Sequence, residues 1–512
     1  MDEYLIGIDI GTSSCKTIAL KTSGEILDFS TNEYEILISK SGWAEQNPED
    51  WYQAFKNGLK NIFERNPEIK RNIVAIGLTG QMAGLVLADK NMDVLLPAII
   101  WMDQRSMGQV DYLCKNFKED INRITFNPIN LSNTLVKIIW IMEHYGDIWK
   151  KVHKIQLPKD YIKLKLTNEW NTDYNDASAT LLLDVKKLNW SQSIRKIAKI
   201  DESKLPELLP CTKIAGFVSK KAADELGIKS GIPVVAGSGD LAAENLAAGI
   251  LENNQRLTRF GTAGSTSTII DNPVYDKNEV ARCYAYCIPN KWMIETTSQS
   301  FGLCKKWYRD TFFSEEHIEA VSDNRNTYEL MDEIAGEAPI GSNGLFFHPF
   351  NTGEPYWNPN LRGSFYGISL EHNKKHFNRA VLEGCAFGLK DAINCLNSLV
   401  GENIKEYTFV GGGSKSKIWV QIICDVLEKD AFVLKTADAA LGVAMMAGLG
   451  ASVFKNFQEA ISICLKREIK VNYIGRNVKK YNKLYQMYKE IHRDLMKKSH
   501  LLHETNEFIN AL

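Results

Sequence analysis

The chain has 512 residues, which at roughly 150 residues per domain is about two to four domains, ample for a sizeable core. Lys and Arg total 61 against 62 Asp and Glu, a formal charge of −1, so no cationic field draws the protein onto nucleic-acid or lipid phosphates. The longest apolar run, residues 95–101, is far short of the roughly 20 that span a bilayer, and the start MDEYLIGIDIG carries no basic leader; with ten scattered cysteines, a soluble cytoplasmic protein with reduced thiols is expected.

In chain order, residues 4–9 read as a buried strand, 11–14 as a turn and 16–20 as the returning strand, a hairpin with a hydroxyl-rich tip. Residues 51–62 carry helical spacing, 73–79 form a short apolar strand, and 135–144 are again helical. A strand at 232–236 leads through Gly237-Ser-Gly239 into a helix at 241–248. The opening pattern then returns: strand 255–260, the turn Gly261-Thr-Ala-Gly-Ser265, strand 266–270. A long helix at 377–399, a strand at 407–410, Gly411-Gly-Gly413 and a helix at 416–428 follow. Residues 477–498 place Val478, Tyr481, Leu484, Tyr488, Ile491 and Leu495 along one helical face, opposite Lys and Arg that read as solvated surface. Strands alternating with helices predict an α/β protein, and the recurring hairpin predicts two halves built alike, 1–247 and 248–512.

A Gly/Ser/Thr turn between strands can aim backbone N–H groups and hydroxyls at an anion, phosphate above all. One such turn is more often an ordinary hairpin. Two, at Gly11-Thr12-Ser13 and Gly261-Thr262, suggest opposed tips cradling a polyphosphate, with Asp9 placed to hold Mg2+ directly or through water. The Gly237 turn imitates a dinucleotide site, but Thr258 and Arg259 stand where a ribose-binding carboxylate belongs. Asp240 is left either as a helix N-cap or as a carboxylate that accepts a proton from an attacking hydroxyl. Gly411, Gly412 and Gly413, followed by Ser416, let the backbone lie flat against a ring or a phosphate. No Walker A, zinc-peptidase or nucleophile-elbow motif occurs, which leaves a kinase-type cleft outside the P-loop class.

Over nearly the whole chain these residues resemble the FGGY carbohydrate kinases. Ser132-Asn-Thr-Leu-Val-Lys-Ile-Ile-Trp-Ile-Met-Glu-His144 is similar to the first family signature, and Gly363-Ser-Phe-Tyr-Gly-Ile368 with His376-Phe-Asn-Arg-Ala-Val-Leu-Glu383 to the second. The resemblance implies a two-domain actin-like, ribonuclease-H-like fold with a cleft between duplicated halves. It further implies a kinase using ATP and Mg2+ to phosphorylate a terminal hydroxyl of a ketopentose, D-xylulose first among them, and a possible homodimer. By motif position Asp240 would be the base, Asp9 the metal-associated acid, and Thr12, Gly261 and Thr262 phosphate contacts. Gly411 to Gly413 would hold the nucleotide, and Gln81, Met82, Ala83, Asp103 and Arg105 the sugar. Two positions depart from the D-xylulose pattern: Ala83 replaces a histidine, and Leu241 follows Asp240 where asparagine is common. L-Ribulose, L-xylulose, gluconate, glycerol and autoinducer-type ketoses therefore stay open as acceptors, as does a sugar-independent ATPase. Trp101, Trp307 and Trp357 are candidates for stacking on the sugar, against the commoner role of core aromatics.

Overall fold

The computed structural model describes residues 2–323, 325–353, 360–434, 437–466 and 469–511. The first half is built on a seven-stranded sheet. Its central strand β1 (Tyr4–Ile10) pairs antiparallel with β2 (Ser14–Lys21), and β2 with β3 (Ile26–Glu33). On its other side β1 runs parallel to β4 (Ile73–Gly80). β5 (Ile214–Phe217), β6 (Pro233–Val235) and β7 (Ser238–Gly239) complete the order β5-β6-β4-β1-β2-β3, with β7 pairing on β4. Leu5, Ile6, Ile8 and Ile10 are all fully buried, because a central strand covered on both faces reads as a continuous apolar run.

One face is covered by α1 (Pro48–Arg65), which buries Trp51, Phe55, Leu59 and Ile62 at helical spacing. Its start is set by Pro48 in the first turn and by Asn47, whose side chain accepts from the Glu49 amide at 3.2 Å. Downstream lie α2 (Thr134–His144), the short α3 (Tyr174–Ser178) and α4 (Asp240–Ala247).

The second half repeats the plan. β8 (Gln255–Phe260), β9 (Gly264–Ile270), β10 (Arg282–Ala285), β11 (Trp292–Ser298), β12 (Glu406–Val410), β13 (Ala431–Val433) and β14 (Ile469–Val471) form a sheet in the order β10-β11-β9-β8-β12-β13-β14. β11-β9-β8 are antiparallel, β8-β12-β13 parallel and β13-β14 antiparallel, the sequence of pairings seen in β3-β2-β1-β4-β6-β5. The hairpin recurrence read from the sequence is thus a recurrence of whole sheets, although the tips are tighter than predicted, with strand resuming at Ser14 and Gly264. Around this sheet stand α5 (Gly302–Phe312), α6 (Lys374–Val400), α7 (Lys417–Leu427), α8 (Ala439–Gly450) and α9 (Gly475–Ala511).

α8 lies between β13 and β14 in the chain yet packs against β1, β4 and α4 of the first half. Apolar residues surround it on every side, as in a helix with no solvent face. The approach is backbone to backbone: a Cβ on Gly7 would lie 2.0 Å from the Ala440 carbonyl oxygen, and one on Gly442 1.8 Å from that of Ala243. Among the described residues no helix is long and apolar enough to cross a membrane.

Candidate functional site

Two cavities flank the junction of the halves. The first, of about 240 Å3, has Asp240 and Leu241 at its base and the strip Gln81, Met82 and Ala83 along one side. Asn127, Asn130, Ser132 and Asn133, just before α2, supply amides and a hydroxyl, and Trp101 flanks them. The remaining wall comes from the other half, as Arg282 and Tyr284 on β10. A small cavity lined by uncharged hydrogen-bonding groups with one carboxylate and one guanidinium suits a polyhydroxylated ligand.

Local structure fixes each of these groups. Asp240 opens α4, and its Oδ1 accepts from the Leu241 amide at 2.8 Å. Burial pushes its carboxyl up to about 7, Arg259 pulls it back, and Glu244 pushes it further up. The Gln81 amide N–H donates to the Ile10 carbonyl at 2.8 Å and its side chain donates to Gln46 Oε1 at 2.8 Å, tying the strip to the end of β1. Ala83 sits at φ 60°, and the buried Lys137 of α2 donates to its carbonyl at 3.0 Å. Burial brings the Lys137 ammonium down to about 7.

The first hairpin tip is laced to this cavity. Thr12 Oγ1 accepts from the Trp101 indole at 2.9 Å, the Thr12 carbonyl from Gln46 at 2.7 Å, and the Gly11 carbonyl from the Tyr34 hydroxyl at 2.5 Å. Asp9, next to the tip, has its carboxyl raised well above the usual range by burial and by the charges of Asp240, Asp438 and Glu244. Among the described residues its buried Oδ1 has no hydrogen-bond partner. A mutually repelling carboxylate group with an orphaned oxygen fits a divalent cation. No set of three or more His, Cys, Asp or Glu among the described residues could hold one alone, so a cation here would take much of its coordination from phosphate and water, the habit of Mg2+. Lys16 on β2 pairs with Asp438, which caps α8, and Arg259 on β8 pairs with Glu244 at 2.6 Å and Glu295 at 3.2 Å.

The second cavity, of about 350 Å3, lies wholly in the second half. The tip Gly261-Thr262 and Gly412, Gly413 and Ser416 line it, with Lys305 and Lys306 of α5 opposite. Its inner wall is Trp419, stacked on Phe301 at 4.3 Å, its indole donating to the Leu382 carbonyl at 3.0 Å. Ser416 caps α7 by accepting from the Trp419 amide at 3.2 Å. Gly411 does not line the cavity. It holds the turn at φ 95°, where a Cβ would lie 2.9 Å from the Phe260 carbonyl oxygen, and so brings Gly412 and Gly413 to the surface.

Several expected residues lie elsewhere. Asp103 and Arg105 are not in the cavity wall: they form a buried bidentate pair with bonds of 2.7 to 3.0 Å, and Asp103 also accepts from the Ala44 amide at 2.7 Å. Arg105 bonds Glu45 at 2.8 Å and lies 3.7 Å from the Trp43 ring centroid. Two residues apart, the pair closes on itself and anchors the loop carrying Trp101. Trp307 stacks on Phe347 in the core of the second half, and Trp357 lies outside the described residues. Asn127, Asn130, Asn133, Arg282 and Tyr284 were not foreseen. The alternation of Arg282 and Tyr284 with buried Cys283 and Ala285 was the one available signal, since it places both on one face of a strand.

Comparison with known proteins agrees with this geometry. Residues 4–247 match the N-terminal domain of the FGGY family of carbohydrate kinases and 258–451 its C-terminal domain. A xylulose kinase of Lactococcus lactis subsp. lactis (strain IL1403) is 32% identical over 98% of this chain and 99% of its own. A gluconokinase of Bacillus subtilis (strain 168) is 31% identical over 96% of each. The ligand-bound xylulose kinase structure from Lactobacillus acidophilus aligns with a TM-score of 0.89 at 25% identity, covering 98% of this chain and all of the other (100%). With duplicated sheets, paired hairpin tips and both family domains in tandem, the chain belongs to the FGGY carbohydrate kinases, sugar phosphotransferases of actin-like fold.

Proposed function

We propose that the protein transfers the γ-phosphoryl group of ATP to a terminal hydroxyl of a ketopentose, with D-xylulose the first candidate and Asp240 the general base. The observation that carries this reading is Asp240 itself: a carboxylate in the wall of a small polar cavity, with a pKa near 7 that lets it both ionise and take up a proton at neutral pH. The acceptor hydroxyl passes its proton to an Asp240 oxygen as its own oxygen bonds to the γ-phosphorus; the bond from that phosphorus to the bridging oxygen breaks, and ADP leaves. Gly261 and Thr262 line the second cavity and Thr12 bonds Trp101 in the wall of the first, which supports a role for the tips Gly261-Thr262 and Gly11-Thr12-Ser13 in holding the phosphates from two sides. Mg2+, held through Asp9 and the nucleotide, would neutralise the charge of the transferring group.

A second acceptor class, an aldonate such as gluconate, is supported by the relative that carries the name gluconokinase. The test is ADP release with ATP and Mg2+ against D-xylulose, L-xylulose, L-ribulose, gluconate and glycerol, with a control lacking acceptor. Stimulation by D-xylulose supports the first reading and by gluconate the second. ADP release indifferent to every acceptor would overturn both in favour of a plain ATPase.

A further inference from the structure

Asn175 lies on α3, touches neither cavity, and is completely buried. Its side chain spans two peptides that matter to the site. Oδ1 accepts from the Gly239 amide at 3.0 Å, in the Ser238–Gly239 peptide one residue before Asp240, and Nδ2 donates to the Ala285 carbonyl at 2.7 Å, on the strand that brings Arg282 and Tyr284 to the cavity. Asn175 is itself fixed from behind, its backbone amide donating to Asp173 Oδ1 at 2.9 Å while Lys159 binds the other oxygen of that carboxylate at 2.7 Å. Lys163, in the same buried ion network, donates to the Ala236 carbonyl at 3.3 Å, a second hold on the turn that leads to Asp240.

Other side chains of the first half also grip β10. Asn127 takes both the amide and the carbonyl of Cys283, and Ser178 Oγ accepts from the Ala285 amide at 3.0 Å. Neither is bonded to the Asp240 turn. Gly239 has little freedom to compensate, since a Cβ there would lie 2.4 Å from Met82 Cγ; the turn, the Met82 side chain and β10 therefore form one packed unit with Asn175 at its centre. Removing the Asn175 amide leaves a buried N–H and a buried C=O without their side-chain partner, and the turn before Asp240 loses its direct tie to β10.

We infer that Asn175 is a positioning residue for phosphoryl transfer, setting the Asp240 carboxylate in register with the wall that β10 contributes to the acceptor cavity. The inference rests on the reading of Asp240 as the base, and its test separates the two. Steady-state kcat and KM are measured for wild type, Asn175→Ala, Ser178→Ala and Asp240→Asn, with ATP and D-xylulose or whichever acceptor of the panel the wild type phosphorylates. Thermal unfolding is followed alongside. Ser178→Ala loses its bond to β10 and one to the Tyr174 carbonyl within α3 but none to the Asp240 turn, so its kcat should stay within about threefold of wild type. Asn175→Ala should lose at least about thirtyfold in kcat with KM for ATP unchanged, since a misplacement of about 1 Å can cost a hundredfold. If Asn175→Ala does not fold, Asn175→Ser, too short to reach both peptides, is measured in its place. Equal kcat values for the Asn175 and Ser178 variants would overturn the inference. Asp240→Asn should fall about a hundredfold; near-normal turnover there would overturn the base assignment itself, whatever Asn175 does.

Discussion

Asp240 and Arg259 are the residues through which pH should govern the reaction. A base must be ionised to accept a proton, so kcat/KM is expected to rise with pH up to about 7 and level off above it. Arg259 lowers the Asp240 pKa, and replacing it with methionine removes that cation and leaves Glu244 and Glu295 uncompensated. The acidic limb of the Arg259→Met profile should therefore move to higher pH, read from kcat/KM between pH 5.5 and 9. In the nucleotide cavity the informative residue is Gly412, where a Cβ would meet no protein atom within 4 Å. Gly412→Val should therefore fill ligand space without straining the chain, raising KM for ATP at least about tenfold while the unfolding temperature stays put. At this scale the sequence was informative where a role sits in a contiguous motif: Gln81 to Ala83, Asp240 and Gly412-Gly413 all line the expected cavities. Asp103 and Arg105, by contrast, pair with each other outside the lining of the first cavity. For Arg282 and Tyr284 the sequence offered only their alternation along one strand, because a wall made of residues some two hundred positions from Gln81 leaves no motif that joins them to it.

Among the elements, strands and amphipathic helices were legible because one-sided burial writes a period into the sequence: α1, α6 and α9 all extend beyond the segments predicted for them. α8 was not, because a helix buried on every side has no apolar phase to read. Its glycine is the more telling residue. Gly442→Ala puts a methyl 1.8 Å from the Ala243 carbonyl oxygen, where only backbone can give way. We expect destabilisation of about 1–3 kcal/mol, the usual range for overpacking, measured by urea denaturation. Full stability in that variant would mean that α4 and α8 can separate at little cost.

At the scale of the molecule the duplication assigns different tasks to similar sheets. The second cavity, proposed for the nucleotide, belongs to the second half alone, whereas the first, proposed for the acceptor, draws Arg282 and Tyr284 across from it. The repeated hairpin suggests two halves in the sequence, but their interleaving through β10 and α8 was not readable there, since side-chain bonds such as Asn127 to Cys283 join residues 156 apart. α8 carries this interleaving into the history of each molecule. Residues 1–250 leave the ribosome with the face of β1 and β4 that α8 covers still bare, and about 200 more residues, roughly 10–40 s of synthesis, must follow before α8 can arrive. A fragment ending near residue 250 should accordingly aggregate when expressed alone, assayed by partition between soluble and pelleted protein beside the full chain. During that interval the nascent first half is a natural client for whatever shields apolar surface in the cell, and its yield depends on how quickly the rest of the message is read.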